Sequence, residues 1–77
     1  MTTLRVASFN VQRLSARQGA RVEAIAGIAR ALDADVLALQ EIASGPALDV
    51  ARGAGLAHTT FVAHAASAQR GVAIGHR

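Results

Sequence analysis

LRVASFN at residues 4–10 and DVLALQE at residues 35–41 are the two stretches that decide how this chain folds. Both are rich in β-forming residues, and apolar side chains occupy odd as well as even positions. Such a run is typical of a strand that is covered on both faces. We therefore predict two strands, Leu4–Asn10 and Asp35–Glu41, each of which ends in a polar side chain.

A helix is predicted between these two strands. Residues 15–18, SARQ, match a capping box in which Ser15 is the N-cap and Gln18 reaches back to it. Apolar residues then recur at helical spacing: Val22, Ile25, Ala26, Ala29 and Leu32. The helix is predicted to end near Leu32. A strand–helix–strand unit nearly always forms a right-handed crossover with parallel strands. Asn10 and Glu41 are therefore expected at one rim of the sheet, where ligands usually bind in α/β folds.

The rest of the chain adds a helix and two strands. A second helix is predicted from residues 44–46, SGP, because Pro suits the first turn, and Gly53 and Gly55 end it. Ala57–Ala63 and Gly71–Gly75 are predicted strands, and Asp33 with Ala34 forms a turn. The element order β-α-β-α-β-β places the chain in the α/β class.

Length and composition exclude several classes of protein. The chain has 77 residues, a net charge of +3 and no Cys. Folding would bury roughly 60% of the surface, which is marginal for a lone domain, and neither a disulfide nor a cysteine zinc site can stabilise it. With two Phe and no Tyr or Trp, no stacking platform for single-stranded nucleic acid is expected. No stretch is long enough to span a membrane and the start lacks a signal-peptide core, so we expect a cytoplasmic location.

Glu41 and Asn10 are the residues whose position favours chemistry. Glu41 offers a hard carboxylate oxygen, and Mg²⁺ is often held by one or two carboxylates together with waters and substrate phosphates. Asn10 offers an amide that can donate to a phosphate oxygen or orient a neighbouring carboxylate. Each also has a plain structural interpretation, as a solvated strand end or a turn former. Gln40 points to the opposite face from Glu41 and is interpreted as structural.

The other acidic and histidine residues are interpreted as structural. Asp35 begins the strand that Glu41 ends, roughly 20 Å away at about 3.3 Å per residue, so Asp33 and Asp35 are expected in a turn at the wrong rim for a shared metal. The three histidines are expected to be structural or exposed: His58, His64 and His76. His58 and His64 would lie too far apart along one strand to bind one metal.

The basic residues permit an anionic partner without requiring one. Arg13, Arg17 and Arg21 recur every four residues and would form a stripe if the first helix began early. Such a stripe could steer a phosphate, although a solvated helix face is the commoner outcome.

Three segments together resemble the opening of the endonuclease/exonuclease/phosphatase family, whose fold is called DNase I-like. They are residues 4–11, LRVASFNV, residues 34–41, ADVLALQE, and residues 71–74, GVAI. Members of this family begin with a strand that ends in Asn and a hydrophobic residue, then a helix, then a strand that ends in Gln-Glu. The family includes DNase I-like nucleases, exonuclease III-like repair enzymes, inositol-polyphosphate phosphatases and sphingomyelinases.

The resemblance implies a four-layer α/β/β/α sandwich, of which residues 1–77 would be the amino-terminal, incomplete part. It implies hydrolysis of a phosphate ester by activated water with Mg²⁺ or Mn²⁺ as cofactor. Asn10 matches the active-site Asn that lies near the substrate phosphate, and Glu41 matches the metal-binding Glu. The substrate class, whether nucleic acid, inositol phosphate or phospholipid, stays open.

Residues 1–77 match only the opening of the family and do not contain its later motifs. These motifs are the catalytic His, a D-x-N segment and a final Asp-His pair. Without a general base and a leaving-group stabiliser, this chain is expected to be inactive on its own. Most of the second sheet is also missing, so one face of the first sheet is expected to be bare, which favours self-association or instability.

Two other functions remain open at this point. The chain could be a non-catalytic, degenerate or split half-domain that acts as a structural or dimerisation module. It could also be a small basic nucleic-acid binder, although its Arg residues are scattered along the chain and diluted by five acidic residues.

Overall fold

The computed structural model describes residues 3–64 and 67–77, and these residues form the six predicted elements. In chain order the elements are β1 Val6–Leu14, α1 Gly19–Leu32, β2 Val36–Ile42, α2 Ser44–Gly53, β3 His58–His64 and β4 Ser67–His76. The order β-α-β-α-β-β is therefore confirmed.

The four strands form one mixed sheet in the order β1-β2-β4-β3. β1 and β2 are parallel and in register from Val6 opposite Val36 to Asn10 opposite Gln40, which confirms the pairing expected of a crossover unit. β4 runs antiparallel between β2 and β3. The described residues are thus a small mixed α/β domain, and the second sheet of the sandwich implied by the resemblance is not among them.

Both helices cover the same face of this sheet. α2 packs on β2, β3 and β4, whereas α1 packs on α2 and β1. Successive residues of a strand point to opposite faces, so in β2 the buried Leu37 and Leu39 alternate with the partly exposed Val36 and Ala38. The largest fully buried side chains are Leu14, Leu37, Leu39, Ile42 and Val50.

The other face, which we call the open face, is not covered by any of the described residues. It consists of three cross-strand rows, each with one residue from β1, β2, β4 and β3: Val6, Val36, His76, His58; Ser8, Ala38, Ile74, Thr60; Asn10, Gln40, Val72, Val62. Its aliphatic side chains are exposed, Val62 by 66%, Val72 by 47% and Ile74 by 38%. The bare face implied by the resemblance is present in the described part of the chain, and half of its twelve residues are apolar.

β1 continues past its predicted end at Asn10. Gln12 and Arg13 adopt positive φ angles of 47° and 60°, and the register with β2 is irregular after Asn10. The guanidinium of Arg21 holds this segment by donating to the main-chain oxygens of Val11 at 2.6 Å and Gln12 at 3.3 Å. The pattern of β-forming residues could not show this extension, because it depends on a contact from α1.

α1 begins later than the capping box predicts. Its N-cap is Gln18, without a side-chain hydrogen bond, so the assignment of Ser15 as N-cap was wrong. Half of the predicted box does form, since the Gln18 side-chain oxygen accepts the main-chain N–H of Ser15 at 3.0 Å. The reason for the shift is that β1 occupies the chain as far as Leu14, and a turn must follow before a helix can start.

β4 is longer than the predicted Gly71–Gly75 strand and begins at Ser67. Its pairing with β3 continues beyond Gly71, with an irregular register between Ala63 and His64. The sequence of this part has little β-propensity, so it did not predict a strand. Pairing with a neighbouring strand stabilises the extended conformation there.

Candidate functional site

Asn10 and Glu41 lie toward the same rim of the sheet, near the carboxyl end of β2 and in the middle of β1, which continues to Leu14. Asn10 is the direct partner of Gln40, and Glu41 is the next residue of β2. Regular β1–β2 pairing stops at this point. The placement expected from the strand–helix–strand unit is therefore found, while the chemical roles of the two residues stay predictions.

A β-bulge keeps the Glu41 side chain out of the core. Strict alternation along β2 would place Glu41 on the covered face with Leu37 and Leu39. Instead Glu41 has a φ of 57°, the register with β4 shifts between Gln40 and Ile42, and Ile42 takes the fully buried position. Glu41 is left half-buried at the rim. A non-glycine residue with positive φ carries local strain, and such residues are frequent at functional sites.

A shallow cleft of about 440 Å³ opens beside Glu41, between the ends of β2, β3 and β4. Its walls include Gln40, Glu41, His64, Arg70 and the open-face valines Val62 and Val72. A carboxylate, a guanidinium and an imidazole thus border one cavity. A cation can bind the first of these groups and a phosphate can bind the second.

Sequence reasoning missed the contribution of Arg70 and His64 to this cleft. Arg70 was counted among scattered basic residues, and His64 was interpreted as structural. They border the same cleft as Glu41 because β4 returns antiparallel beside β2, with Gly71 opposite Ile42, and β3 pairs with β4. No local pattern reveals which strand will lie beside β2, so no signal in the sequence could have found this grouping.

Asn10 does not border the cleft, because Gln40 lies between Asn10 and the cleft residue Val72 in the cross-strand row. Its Oδ1 accepts the main-chain N–H of Gln12 at 3.0 Å, a local bond typical of a turn-forming Asn. This bond fixes the amide with its NH₂ group available. Gln40 donates from Nε2 to the Ser8 hydroxyl at 3.0 Å on the open face, in agreement with its structural interpretation.

The opposite rim, at the amino ends of β1 and β2, holds an ion-pair cluster. The Arg77 guanidinium contacts Asp33 at 2.5 Å and Asp35 at 2.8 Å. The main-chain N–H of Arg5, at 2.9 Å from the carboxylate, and the nearby Arg77 lower the pKa of Asp35 in spite of partial desolvation. Asp33, and then Asp35, raise the pKa of Arg77. The aspartates are therefore structural, as the sequence indicated, and Asp33 ends α1 with a φ of 51°.

The basic stripe of Arg13, Arg17 and Arg21 was expected only if the first helix began early, and it is not formed. Arg13 belongs to β1 and Arg17 to the turn before α1, while Arg21 binds main-chain oxygens. The condition fails because α1 starts at Gly19.

The histidines are exposed, and the structure pairs two of them in a way that the sequence did not indicate. His58 and His76 stack with ring centroids 5.0 Å apart. Their pairing arises from the antiparallel register of β3 and β4. His64 lies at the far end of β3, beside Glu41.

Within residues 3–64 and 67–77, no group of three or more His, Cys, Asp or Glu side chains is placed to share a metal ion. Neither helix of this part has the length and hydropathy needed to cross a membrane. No protein-family model, curated protein or solved structure matches the chain.

Proposed function

We propose that this chain is the amino-terminal part of a divalent-metal-dependent phosphoesterase of the endonuclease/exonuclease/phosphatase type. The observation that supports the proposal is the parallel pairing of Asn10 with Gln40, which brings Asn10 and Glu41 to one rim on adjacent strands. The resemblance assigns roles to these two positions, and this rim is where α/β sheets bind ligands.

Glu41 is suited to a metal ion of the Mg²⁺ or Mn²⁺ kind by its donor chemistry. Its carboxylate is a hard oxygen ligand held at a half-buried bulge, and Mg²⁺ often takes one or two carboxylates and leaves its other positions to water and substrate phosphate. A bound divalent ion would supply Lewis-acid polarisation of the phosphate ester. Glu41 would hold that ion.

Asn10 and Arg70 would bind the phosphate. The Oδ1 of Asn10 already accepts a main-chain N–H, so its NH₂ group is the part of the amide that can donate to a substrate oxygen. Arg70 borders the Glu41 cleft, and a guanidinium binds phosphate oxygens through two parallel N–H donors. These residues bind and orient a substrate, whereas none of them is a general base. We therefore expect no turnover from residues 1–77 alone.

The experiment is a Mn²⁺ titration followed by paramagnetic broadening of backbone amide signals. In the unaltered chain we expect broadening centred on residues 40–42. Glu41→Gln should abolish it, because the charged ligand is lost. Glu23→Gln is the matched control, since Glu23 is an exposed residue of α1, and it should leave the broadening unchanged.

Broadening that is centred elsewhere, or that persists in Glu41→Gln, would contradict the proposal. A second result would contradict only the expected lack of turnover: hydrolysis of bis-p-nitrophenyl phosphate by the purified chain with Mg²⁺ that Glu41→Ala abolishes. In that case the role of Glu41 stands.

A second candidate function is a non-catalytic half-domain that acts as a structural or dimerisation module. The exposed aliphatic rows of the open face favour it, because apolar sheet faces are usually covered. Size-exclusion chromatography with light scattering tests this candidate. A well-defined dimer supports it, and a heterogeneous aggregate contradicts it.

A further inference from the structure

We propose that His58 and His76 together bind a divalent transition-metal ion, with Zn²⁺ as the ion that tests the site. The two residues lie on the open face at the rim opposite Glu41. Val36, the partner of His76 on β2, lies five residue steps before Glu41, so at about 3.3 Å per residue the two sites are about 17 Å apart. The histidine site is independent of the proposed phosphoesterase function.

The backbone holds the two imidazoles at a distance that suits joint ligation. His58 and His76 are direct cross-strand partners in β3 and β4, and their ring centroids are 5.0 Å apart. Two imidazoles on one tetrahedral Zn²⁺, with Zn–N near 2.0–2.1 Å, have centroids about 5 Å apart. The rings are stacked with an interplanar angle of 23°, so rotation about the side-chain torsions, without backbone movement, would turn their nitrogens toward a common point.

The surroundings of His76 favour the neutral tautomer that a metal requires. Its Nδ1 lies 2.9 Å from the main-chain oxygen of Arg77. Because that oxygen can only accept, a neutral ring meets it with the proton on Nδ1 and keeps the lone pair on Nε2. A ligating His almost always donates its other ring N–H to a carbonyl or carboxylate in this manner. The His58 ring makes no hydrogen bond within the described residues, so either of its nitrogens can serve.

The charges nearest to the pair do not oppose a cation. Arg77 follows His76 directly, but its guanidinium is bound to Asp33 and Asp35. Two carboxylates and one guanidinium leave this cluster with a net charge of −1. The guanidinium of Arg5, which lies 3.4 Å from the main-chain oxygen of Leu32, adds a positive charge. The field at the pair is therefore close to neutral.

The ligand set defines the class of ion. Imidazole nitrogens suit Zn²⁺, Cu²⁺ and Ni²⁺, whereas Mg²⁺ prefers oxygen. Two protein ligands leave two positions of a tetrahedral ion for water or for a ligand from another molecule. Such a site is weaker than a closed structural site of four protein ligands.

The test is a Zn²⁺ titration of the full chain, followed through the imidazole ring protons of all three histidines by NMR. We expect the His58 and His76 signals to shift together with one binding curve, and no such shift with Mg²⁺. His58→Asn and His76→Asn should each weaken the apparent affinity at least about tenfold, since even outer-shell partners of a ligand are worth about 10–100-fold.

His64→Asn is the matched control and should bind Zn²⁺ as the unaltered chain does, because His64 lies at the other end of β3. Circular dichroism of each variant confirms that the exposed substitutions leave the fold intact. Unchanged affinity in either single variant would overturn the proposal. So would an equal loss in His64→Asn, or separate binding curves for the two rings.

Discussion

The two faces of the sheet differ in composition and in surroundings. On the covered face, Leu37 and Leu39 of β2 are buried beneath the helices. On the open face, aliphatic residues of the neighbouring strands are exposed to solvent, Val62 with 66% of its surface exposed. Six of the twelve open-face residues are apolar and six are polar. Antiparallel sheets with one wet face usually carry polar residues there, so the open face holds more apolar residues than a wet face usually does.

This comparison teaches that the hydrophobic pattern and the topology agree on which face is covered in this chain, since the helices pack on the face with fewer polar residues. The crossover from β1 to β2 places α1 on one side, and α2 packs beside it. Both helices are then used on the same face. The apolar residues of the other face are covered by no helix of the described part and have only cross-strand neighbours such as Val62 and Val72, so substitutions on the two faces should differ in their effect.

The largest difference is expected between Leu39→Ala and Val62→Ala. Leu39 is 1% exposed, and truncating a buried Leu costs about 2–5 kcal/mol. Val62→Ala should change the free energy of unfolding by less than about 0.5 kcal/mol, as exposed substitutions usually do. Urea unfolding followed by circular dichroism measures both. Equal losses would show that the open face is buried in solution.

A smaller loss in the free energy of unfolding is expected at Gly71, where the covered face has no room for a methyl group. A Cβ at Gly71 would meet the main-chain oxygen of Val62 and, at 2.7 and 2.8 Å, the Phe61 ring. Gly71→Ala should cost about 1–3 kcal/mol. Gly27→Ala, where nothing lies within 4 Å, should instead stabilise α1 by up to about 1 kcal/mol. Thermal unfolding of both variants checks the sign, and a neutral Gly71→Ala would contradict the packing.

Self-association should respond to the open face and not to the outer face of the helices. Val62→Lys is expected to lower the apparent mass in light scattering, because a charge on an apolar face opposes its burial. Its free energy of unfolding should change by less than about 0.5 kcal/mol. Ile28→Lys is the control, since Ile28 is 53% exposed on α1. An equal fall in apparent mass for both variants would contradict association through the open face.

The smallest effect is expected at the aspartate rim and depends on pH. The pKa of Asp35 is lowered from 3.8, so its stabilising contribution is complete above the unfolded-state value and is lost as pH falls through the folded-state value. Asp35→Asn should slightly destabilise the chain at neutral pH and make no difference in strong acid. Thermal unfolding at several pH values measures this. A difference that grows toward acid would contradict the assignment.

How much could be predicted differs from residue to residue. The parallel pairing that aligns Asn10 with Gln40 follows from local patterns, since a strand–helix–strand unit allows little else. The bulge at Glu41 could not be predicted, because it results from Ile42 competing for a core position. The pair His58–His76 depends on the pairing of β3 with β4. The pair Asp35–Arg77 joins residues far apart in sequence that meet because β4 inserts beside β2.

The sequence by itself determined the order of the six elements, the crossover that joins β1 to β2, and the presence of Asn10 and Glu41 at one rim. These features depend on propensity, periodicity and chirality, which act over short stretches of chain. Only the tertiary structure decided which apolar face is covered, where β1 ends, and which charged and histidine side chains meet. The side chains that meet depend on the long-range pairing of β4, the end of β1 on the contact with Arg21, and the covered face on where the helices pack. Contacts between distant segments leave no local signature in the sequence.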